Sequence, residues 1–253
     1  MSEAHTAKVI PIAIKERLIV SLDVETESEA RDIISEIGNE AGAFKIGLQL
    51  FTLAGSKFVS EVVRTGTRVF LDLKFHDIPN TVAKAGVEAA RLGVWMFNVH
   101  AMGGSSMMRQ AVNETAEVCE REGLAKPKII AVTVLTSSDS ETLRETGIET
   151  EVEKQVLHLA ELTAECGLDG VVASGNEIVP LRRQMEGRNF LIVTPGIRPA
   201  YATKDDQRRV MTPGAAIADG SDYLVIGRPI IKSRDRRLAL EKILGEMETA
   251  SNK

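Results

Sequence analysis

Eight short runs rich in apolar and β-branched residues recur along the chain, and this recurrence constrains the fold more than any other feature. The runs are RLIVSLD (17–23), GAFKIG (42–47), TRVFLDLK (67–74), VWMFNVH (94–100), KIIAVTVL (128–135), DGVVAS (169–174), FLIVTPG (190–196) and DYLVIG (222–227). Most of the segments between them have the apolar spacing of helices, as in SEARDIISEIGNEAG (28–42) and EVEKQVLHLAELTAECG (151–167). Strict alternation of strands and helices predicts parallel strands, because each helix returns the chain to the same edge of the sheet.

The number of strand–helix units decides between the possible α/β architectures. At 253 residues the chain is long enough for two small domains or for one barrel. Eight units favour a (β/α)8 TIM barrel over an open doubly wound sheet, which commonly has about five or six strands. No Pro-rich or Ser-rich linker divides the chain, so we expect one domain over residues 1–253, with residues 1–15 as an N-terminal extension. The long segment 136–168 should hold an extra loop and short helix around TSSDSETLRETGI.

Composition restricts the possible partners and location. The hydrophobic fraction of 43% supports a sizeable core, but no apolar run approaches the roughly 20 residues that span a bilayer. The N-terminal VIPIAI (9–14) lacks a basic leader and is too short for a signal peptide, so we expect a cytoplasmic protein without membrane contact. A net charge of −5 and few aromatic residues disfavour nucleic-acid binding. Cys119 and Cys166 lack C-x-x-C spacing, which argues for packing residues over a disulfide framework or a zinc site.

Polar residues stand where most of the predicted strands end. In a (β/α)8 barrel the active site lies at the carboxyl ends of the strands, so these positions are candidates for chemistry. They are Asp23, Lys45, Asp72, Lys74, His100, Thr133, Thr136, Arg198, Gly227 and Arg228.

The most informative of these segments is FLDLKFHDIPNTV (70–82). Asp72 and Lys74 are two residues apart, so their side chains should share the face opposite Leu71 and Leu73, which point to the helices. The alternative is a plain ion pair at a strand end. Lys45 on the neighbouring strand would add a further charge at the same barrel mouth, which favours a functional cluster.

The remaining polar positions of this region are less constrained. Asp77 follows in the turn before the next helix, and spacing alone does not fix its position. His76 lies beyond the expected end of the strand, and His100 is interpreted as a hydrogen-bonded strand-end residue. We assign neither histidine a direct role.

A second group of residues suits an anion. TPGIRP supplies Gly196 and Arg198, DDQRRVMTPG supplies Gln207, and IGRPI supplies Gly227 and Arg228. Loops after the seventh and eighth strands are where such barrels often bind phosphate. The alternative is that Gly-Arg-Pro merely begins a helix, with proline in the first turn.

Together these motifs resemble one family. DLKFHDIPNT, with SLD on the first strand, KIG on the second and TPGIR…DQ…IGR near the end, resembles the orotidine 5′-monophosphate decarboxylases of bacterial type. The resemblance covers about residues 16 to 245. It implies removal of CO2 from orotidine 5′-monophosphate to give uridine 5′-monophosphate, the last step of de novo pyrimidine nucleotide synthesis, with no metal and no organic cofactor.

The resemblance also implies a role for each matching residue. Lys74 would protonate C6 of the pyrimidine, Asp72 would lie near the departing carboxylate, and Lys45 would join their charge network. Asp23 and Lys45 would bind the ribose, Thr136 the pyrimidine, and Arg198, Gln207, Gly227 and Arg228 the phosphate. In this family a homodimer shares its sites, so Asp77 and Thr81 would come from the other subunit.

Two rival hypotheses follow from the same residues. The first is a sugar-phosphate decarboxylase or aldolase with D-x-K-x-x-D and a bound Mg2+. Such relatives are expected to carry an acidic metal ligand on the second strand, where Lys45 would oppose a divalent cation. The second is a non-catalytic sensor of pyrimidine phosphates, which would not need the network of Asp72, Lys74 and Lys45.

Overall fold

Eight parallel strands close into a barrel in the computed structural model, which describes residues 13–200 and 211–251. The strands are β1 (Leu18–Ser21), β2 (Ala43–Gly47), β3 (Val69–Phe75), β4 (Met96–His100), β5 (Lys128–Val132), β6 (Gly170–Val172), β7 (Leu191–Thr194) and β8 (Tyr223–Ile226). They pair in sequence order, and β8 pairs with β1. The predicted (β/α)8 TIM barrel is therefore confirmed.

Helices cover the outside of the barrel. They are α1 (Glu27–Ile37), α2 (Leu48–Arg64), α3 (Pro79–Arg91), α4 (Gly104–Glu122), α5 (Ser140–Glu145), α6 (Val152–Glu165), α7 (Ile178–Gln184), α8 (Pro213–Ala218), α9 (Arg228–Ile231) and α10 (Arg236–Ser251). The extra short helix expected between the fifth and sixth strands is α5. Within the described ranges, none of these helices is both long and apolar enough to cross a bilayer.

Local sequence signals explain where several helices begin and end. Thr26 caps α1 by accepting a hydrogen bond from the Glu29 N–H, and Pro79 occupies the first turn of α3, where its missing N–H leaves no donor unpaired. Gly123 ends α4 with φ +66°, a left-handed conformation that strains other residues. These signals fix where each helix returns the chain to the next strand.

The core has two parts separated by the sheet. Side chains such as Leu71 and Phe97 face outward and pack against the helices. Others, including Phe70, Met96 and Ile130, fill the inside of the barrel. Burying one such side chain contributes about 1.5–3 kcal/mol, so this double core holds the strand ends in fixed positions.

Several predicted strands end one to three residues earlier than expected, and the fifth is shortened most. We predicted a run to Leu135 closed by Thr133 and Thr136, but β5 ends at Val132. The Thr133 hydroxyl donates a hydrogen bond to the Val172 carbonyl of β6 at 3.1 Å. The loop that follows then carries Thr136 to the barrel mouth.

Candidate active site

A cavity of about 640 Å3 opens at the carboxyl ends of the strands. Its walls combine charged side chains with apolar ones such as Phe70, Val172 and Ile197. Eight of the residues predicted for the site line it: Asp23, Lys45, Asp72, Lys74, Thr136, Arg198, Gly227 and Arg228. Gln207 lies outside the described residues.

Asp72 lies at the centre of the charges in this cavity. Its Oδ1 is 2.7 Å from the Lys74 Nζ, and its Oδ2 is 3.2 Å from the Lys45 Nζ. Lys45 also reaches Asp23, with 3.5 Å between Nζ and Oδ1. The side chains of Asp72 and Lys45 are only 13% and 12% exposed, so their attraction is weakly screened by solvent.

The surroundings decide the charge state of Asp72. Burial raises the pKa of the carboxyl, but the positive charges of Lys45 and Lys74 and hydrogen bonds from Lys74 and Asn98 outweigh it. The pKa of Asp72 therefore lies below its ordinary value of 3.8. The carboxylate is negative at neutral pH, next to two cationic side chains.

The strand that carries Asp72 and Lys74 is irregular. The sequence predicted that both side chains share one face of a regular strand. They do meet, but the strand contains a bulge that period-two alternation does not predict. Lys74 has φ +53°, the one positive φ at a non-glycine position among the described residues. A left-handed residue of this kind costs roughly 1–2 kcal/mol, which surrounding contacts must offset.

Asn98 was missed by sequence reasoning. This residue is fully buried in β4, and its side chain contacts both Asp72 and the backbone of Lys74. The available signal was a single amide inside the apolar run MFNVH. An amide there requires hydrogen-bond partners, because an unpaired buried polar group is unfavourable.

Glycine leaves room for the charged groups at two strand ends. A Cβ at position 47 would lie 3.0 Å from the Lys45 Nζ, and one at position 227 would lie 3.1 Å from Asp23 Oδ2. Gly227 directly precedes Arg228, the first residue of α9. Both arginines predicted for the phosphate, Arg198 and Arg228, face the same cavity.

Asp77 and Thr81 lie apart from the other candidates. The cavity lining found among the described residues does not include them, and both side chains are exposed on this chain. Asp77 Oδ1 accepts a hydrogen bond from the Ile78 N–H at 2.7 Å, and Ile78 itself is 66% exposed. Their contribution to the site of another subunit stays a prediction.

The two histidines of this region stack on each other beside the network. The rings of His76 and His100 are 5.3 Å apart between centroids. His100 ends β4 and accepts a hydrogen bond from the Met102 N–H, as expected for a strand-end residue. Burial, followed by the charges of His76 and Lys74, lowers the pKa of His100 below its ordinary value of 6.5.

The remaining observations concern the two cysteines and possible metal ligands. Cys119 and Cys166 are both free and buried, and burial raises the pKa of each thiol, which fits packing residues. Within residues 13–200 and 211–251, no group of three or more His, Cys, Asp or Glu side chains is arranged to hold a metal ion.

Comparison with known proteins places this chain in a family. Residues 16–243 match the model described as "Orotidine 5'-phosphate decarboxylase / HUMPS family". A relative from Syntrophotalea carbinolica named orotidine 5′-phosphate decarboxylase is 50% identical over 239 residues, 94% of this chain and 98% of that protein. Another so named, from Geobacter sulfurreducens, is 51% identical over 92% of this chain and 96% of its own.

Solved structures agree with these sequence matches. The crystal structure of orotidine 5′-phosphate decarboxylase from Lactobacillus acidophilus matches with a TM-score of 0.80 and 38% identity, over 91% of this chain and 98% of that one. An uncharacterized conserved protein from Geobacillus kaustophilus matches with a TM-score of 0.79 and 36% identity, over 91% and 99% of the two chains. The chain therefore belongs to the orotidine 5′-phosphate decarboxylase / HUMPS family, as its motifs indicated, and is an enzyme of the decarboxylase type.

Proposed function

We propose that the chain converts orotidine 5′-monophosphate to uridine 5′-monophosphate and CO2, as the last step of pyrimidine nucleotide synthesis, without metal or cofactor. The names of its relatives support this substrate. The observation that carries the mechanism is Asp72 held between Lys74 and Lys45 in the cavity. An anion fixed between two cations provides preorganised charges, which can act on the negative charge that develops as the substrate loses CO2.

In the proposed reaction the bond between C6 and the carboxylate breaks. Its electron pair stays on C6, CO2 leaves, and the Lys74 ammonium gives its proton to that carbon. Asp72 repels the substrate carboxylate, and this repulsion disappears when neutral CO2 forms. Two charges about 4 Å apart at an effective dielectric near 20 interact by about 4 kcal/mol, or roughly three powers of ten in rate.

Repulsion alone is too small for a very slow uncatalysed reaction, so Lys74 must supply much of the remainder. Its ammonium lies within the same network, where it can stabilise the developing carbanion before transferring the proton. Lys74 is thus proposed as both the electrostatic stabiliser and the acid.

The other residues of the cavity are proposed to hold the nucleotide. Asp23 and Lys45 would bind the ribose and Thr136 the pyrimidine. Arg198, Gly227 and Arg228 would bind the phosphate together with Gln207. Charge-assisted hydrogen bonds contribute about 1.5–3 kcal/mol each, enough for several of them to promote closure of the site around its ligand.

We also propose a homodimer in which Asp77 and Thr81 complete the site of the other subunit. The exposure of both residues and of Ile78 between them supports this proposal. The chain would act as one domain over residues 1–253, with 1–15 as an extension. A cytoplasmic location is proposed as well, and the two free thiols suit a reducing compartment.

The experiment is to mix purified protein with orotidine 5′-monophosphate, with and without EDTA, and to follow the pyrimidine absorbance. Conversion to uridine 5′-monophosphate at the same rate in both samples supports the proposal. Absence of conversion by folded protein would overturn it in favour of a sugar-phosphate enzyme or a sensor. Conversion that EDTA abolishes would leave the substrate assignment intact and contradict the metal-free mechanism.

A further inference from the structure

The pairing between β3 and β4 is interrupted beside the charge network. Leu71 pairs with Phe97 and Phe75 pairs with Val99, so the three residues from Asp72 to Lys74 lie opposite the single residue Asn98. A bulge of this kind leaves backbone groups of the longer strand without their ladder partners. Those groups need another partner to hold the backbone in one conformation.

The Asn98 side chain supplies that partner. Its Oδ1 accepts a hydrogen bond from the Lys74 backbone N–H at 2.8 Å, and its Nδ2 donates to Asp72 Oδ1 at 2.7 Å. The residue has no solvent exposure. One amide therefore binds the backbone of the lysine and the carboxylate of the aspartate at the same time.

We infer that Asn98 is a positioning residue, which fixes the left-handed backbone of Lys74 and the orientation of the Asp72 carboxylate relative to each other. This inference rests on the proposed function for the effect it assigns to turnover. Asn98 is absent from the cavity lining found among the described residues, so it acts through its two neighbours.

The chemistry of the amide explains why this residue type suits the position. An amide carries an acceptor and a donor on one planar group, and the two partners require one of each. A carboxylate at position 98 could accept from the Lys74 N–H but would repel Asp72. A neutral carboxylic acid could restore both bonds, because its O–H can donate to Asp72 while its carbonyl accepts.

This difference makes Asn98→Asp a sharp test. Like charges at hydrogen-bond distance raise the pKa of one of the two carboxyls, so the variant should gain the neutral acid as pH falls. Among the described residues, Asn98 contacts Asp72 and Lys74 on β3, and Asp72 in turn contacts Lys45 on β2. His100 lies two residues further along β4 and stacks on His76. These groups are all present in the parent chain too, so the ratio of parent to variant isolates the new carboxyl.

The experiment measures kcat and product binding of the parent and of Asn98→Asp between pH 5.5 and pH 8.5. At high pH the variant should lose about a hundredfold in kcat, the scale expected when a reacting group is misplaced. Its affinity for uridine 5′-monophosphate should stay within about threefold, since the groups proposed to bind the nucleotide are unchanged. The kcat deficit should narrow as pH falls.

Two further variants separate positioning from general destabilisation. Asn98→Ser cannot bridge both partners, so its kcat should fall by a factor that does not change with pH. Ser221→Ala removes a buried hydroxyl that binds Thr194 away from the cavity, so its kcat should match the parent. Equal kcat for Asn98→Asp and the parent, or a deficit independent of pH, would overturn the inference.

Chemical unfolding gives a second measurement that does not depend on turnover. In the folded Asn98→Asp variant, one carboxyl should have a pKa raised above its value in the unfolded chain. The free energy of unfolding of the variant relative to the parent should therefore increase as pH falls through that raised pKa and decrease as pH rises through it. If the unfolding free energies of the variant and the parent change in parallel with pH, the inferred contact between position 98 and Asp72 is wrong. A parent chain that fails to convert orotidine 5′-monophosphate contradicts the proposed function instead, and the unfolding profiles still decide the role of Asn98.

Discussion

Lys74 places its ammonium 2.7 Å from the Asp72 carboxylate although its own backbone adopts a left-handed conformation. In a regular strand, residues two apart already share a face, so the bulge is not needed merely to bring the two side chains to the cavity. It gives Lys74 a positive φ, which a regular strand would not have. The strain is thus located at the residue proposed to give the proton, as is common at functional sites.

The first prediction concerns the charge of Asp72. Because its pKa is lowered on folding, the ionised carboxyl stabilises the fold above the ordinary pKa of 3.8, and this contribution is lost as pH falls through the lowered pKa. Asp72→Asn lacks it at every pH. Urea unfolding should therefore show a stability difference between parent and variant at pH 6 that narrows towards pH 3.

A matched control for this measurement is Asp32→Asn, which removes an exposed carboxyl on α1. The stability of this variant should follow the parent throughout, because an exposed charge contributes little. If the unfolding free energies of Asp72→Asn and the parent instead change in parallel from pH 6 to pH 3, the carboxyl is not stabilised by its two lysines.

The second prediction concerns Arg228 and the phosphate. Arg228→Ala should lower kcat/KM for orotidine 5′-monophosphate by about 10- to 100-fold, since one charge-assisted hydrogen bond contributes about 1.5–3 kcal/mol. With orotidine, the nucleoside that lacks phosphate, the parent and the variant should have the same low kcat/KM. Parent and variant, each measured with both substrates, form a thermodynamic cycle that isolates the interaction between the Arg228 side chain and the substrate phosphate.

Arg121→Ala provides the control for removal of a positive charge, because Arg121 is an exposed residue paired with Glu122. Its kcat/KM should equal that of the parent with both substrates. If Arg228→Ala were equally impaired with nucleoside and nucleotide, the arginine would act on something other than the phosphate.

The third prediction concerns the shared site of the proposed homodimer. Lys74→Ala and Asp77→Ala chains should each be nearly inactive alone. When they are mixed, unfolded and refolded together, random pairing should restore about a quarter of the parent activity, because one site in each mixed dimer receives both intact residues. Activity that stays at the level of the separate variants would place Asp77 in the site of its own chain.

The periodicity of the sequence predicts the barrel well. Each apolar run is buried on both faces, so it differs clearly from the amphipathic segments that form helices such as α1 and α6. The position of Asp23, Lys45 and Arg198 at strand ends then places them in one cavity, because all parallel strands end on the same side of the barrel.

The detailed geometry of the network was not predictable from the same pattern. Alternation assumes extended backbone at every residue, and a lysine with positive φ is too rare to expect from sequence. Asn98 was overlooked because a strand residue between apolar neighbours gives no indication of which strand its side chain binds. The contact between β3 and β4 that reveals its role depends on tertiary pairing.

The most direct test of the central claim is turnover of orotidine 5′-monophosphate by Lys74→Ala, measured together with binding of uridine 5′-monophosphate. Lys84→Ala, which removes an exposed lysine bonded to Glu114, is the control and should turn over as the parent. We predict that Lys74→Ala binds the product yet loses at least about a thousandfold in kcat, because both proton donation and carbanion stabilisation disappear. Turnover by Lys74→Ala at the rate of the parent would contradict the assignment of Lys74 as the acid.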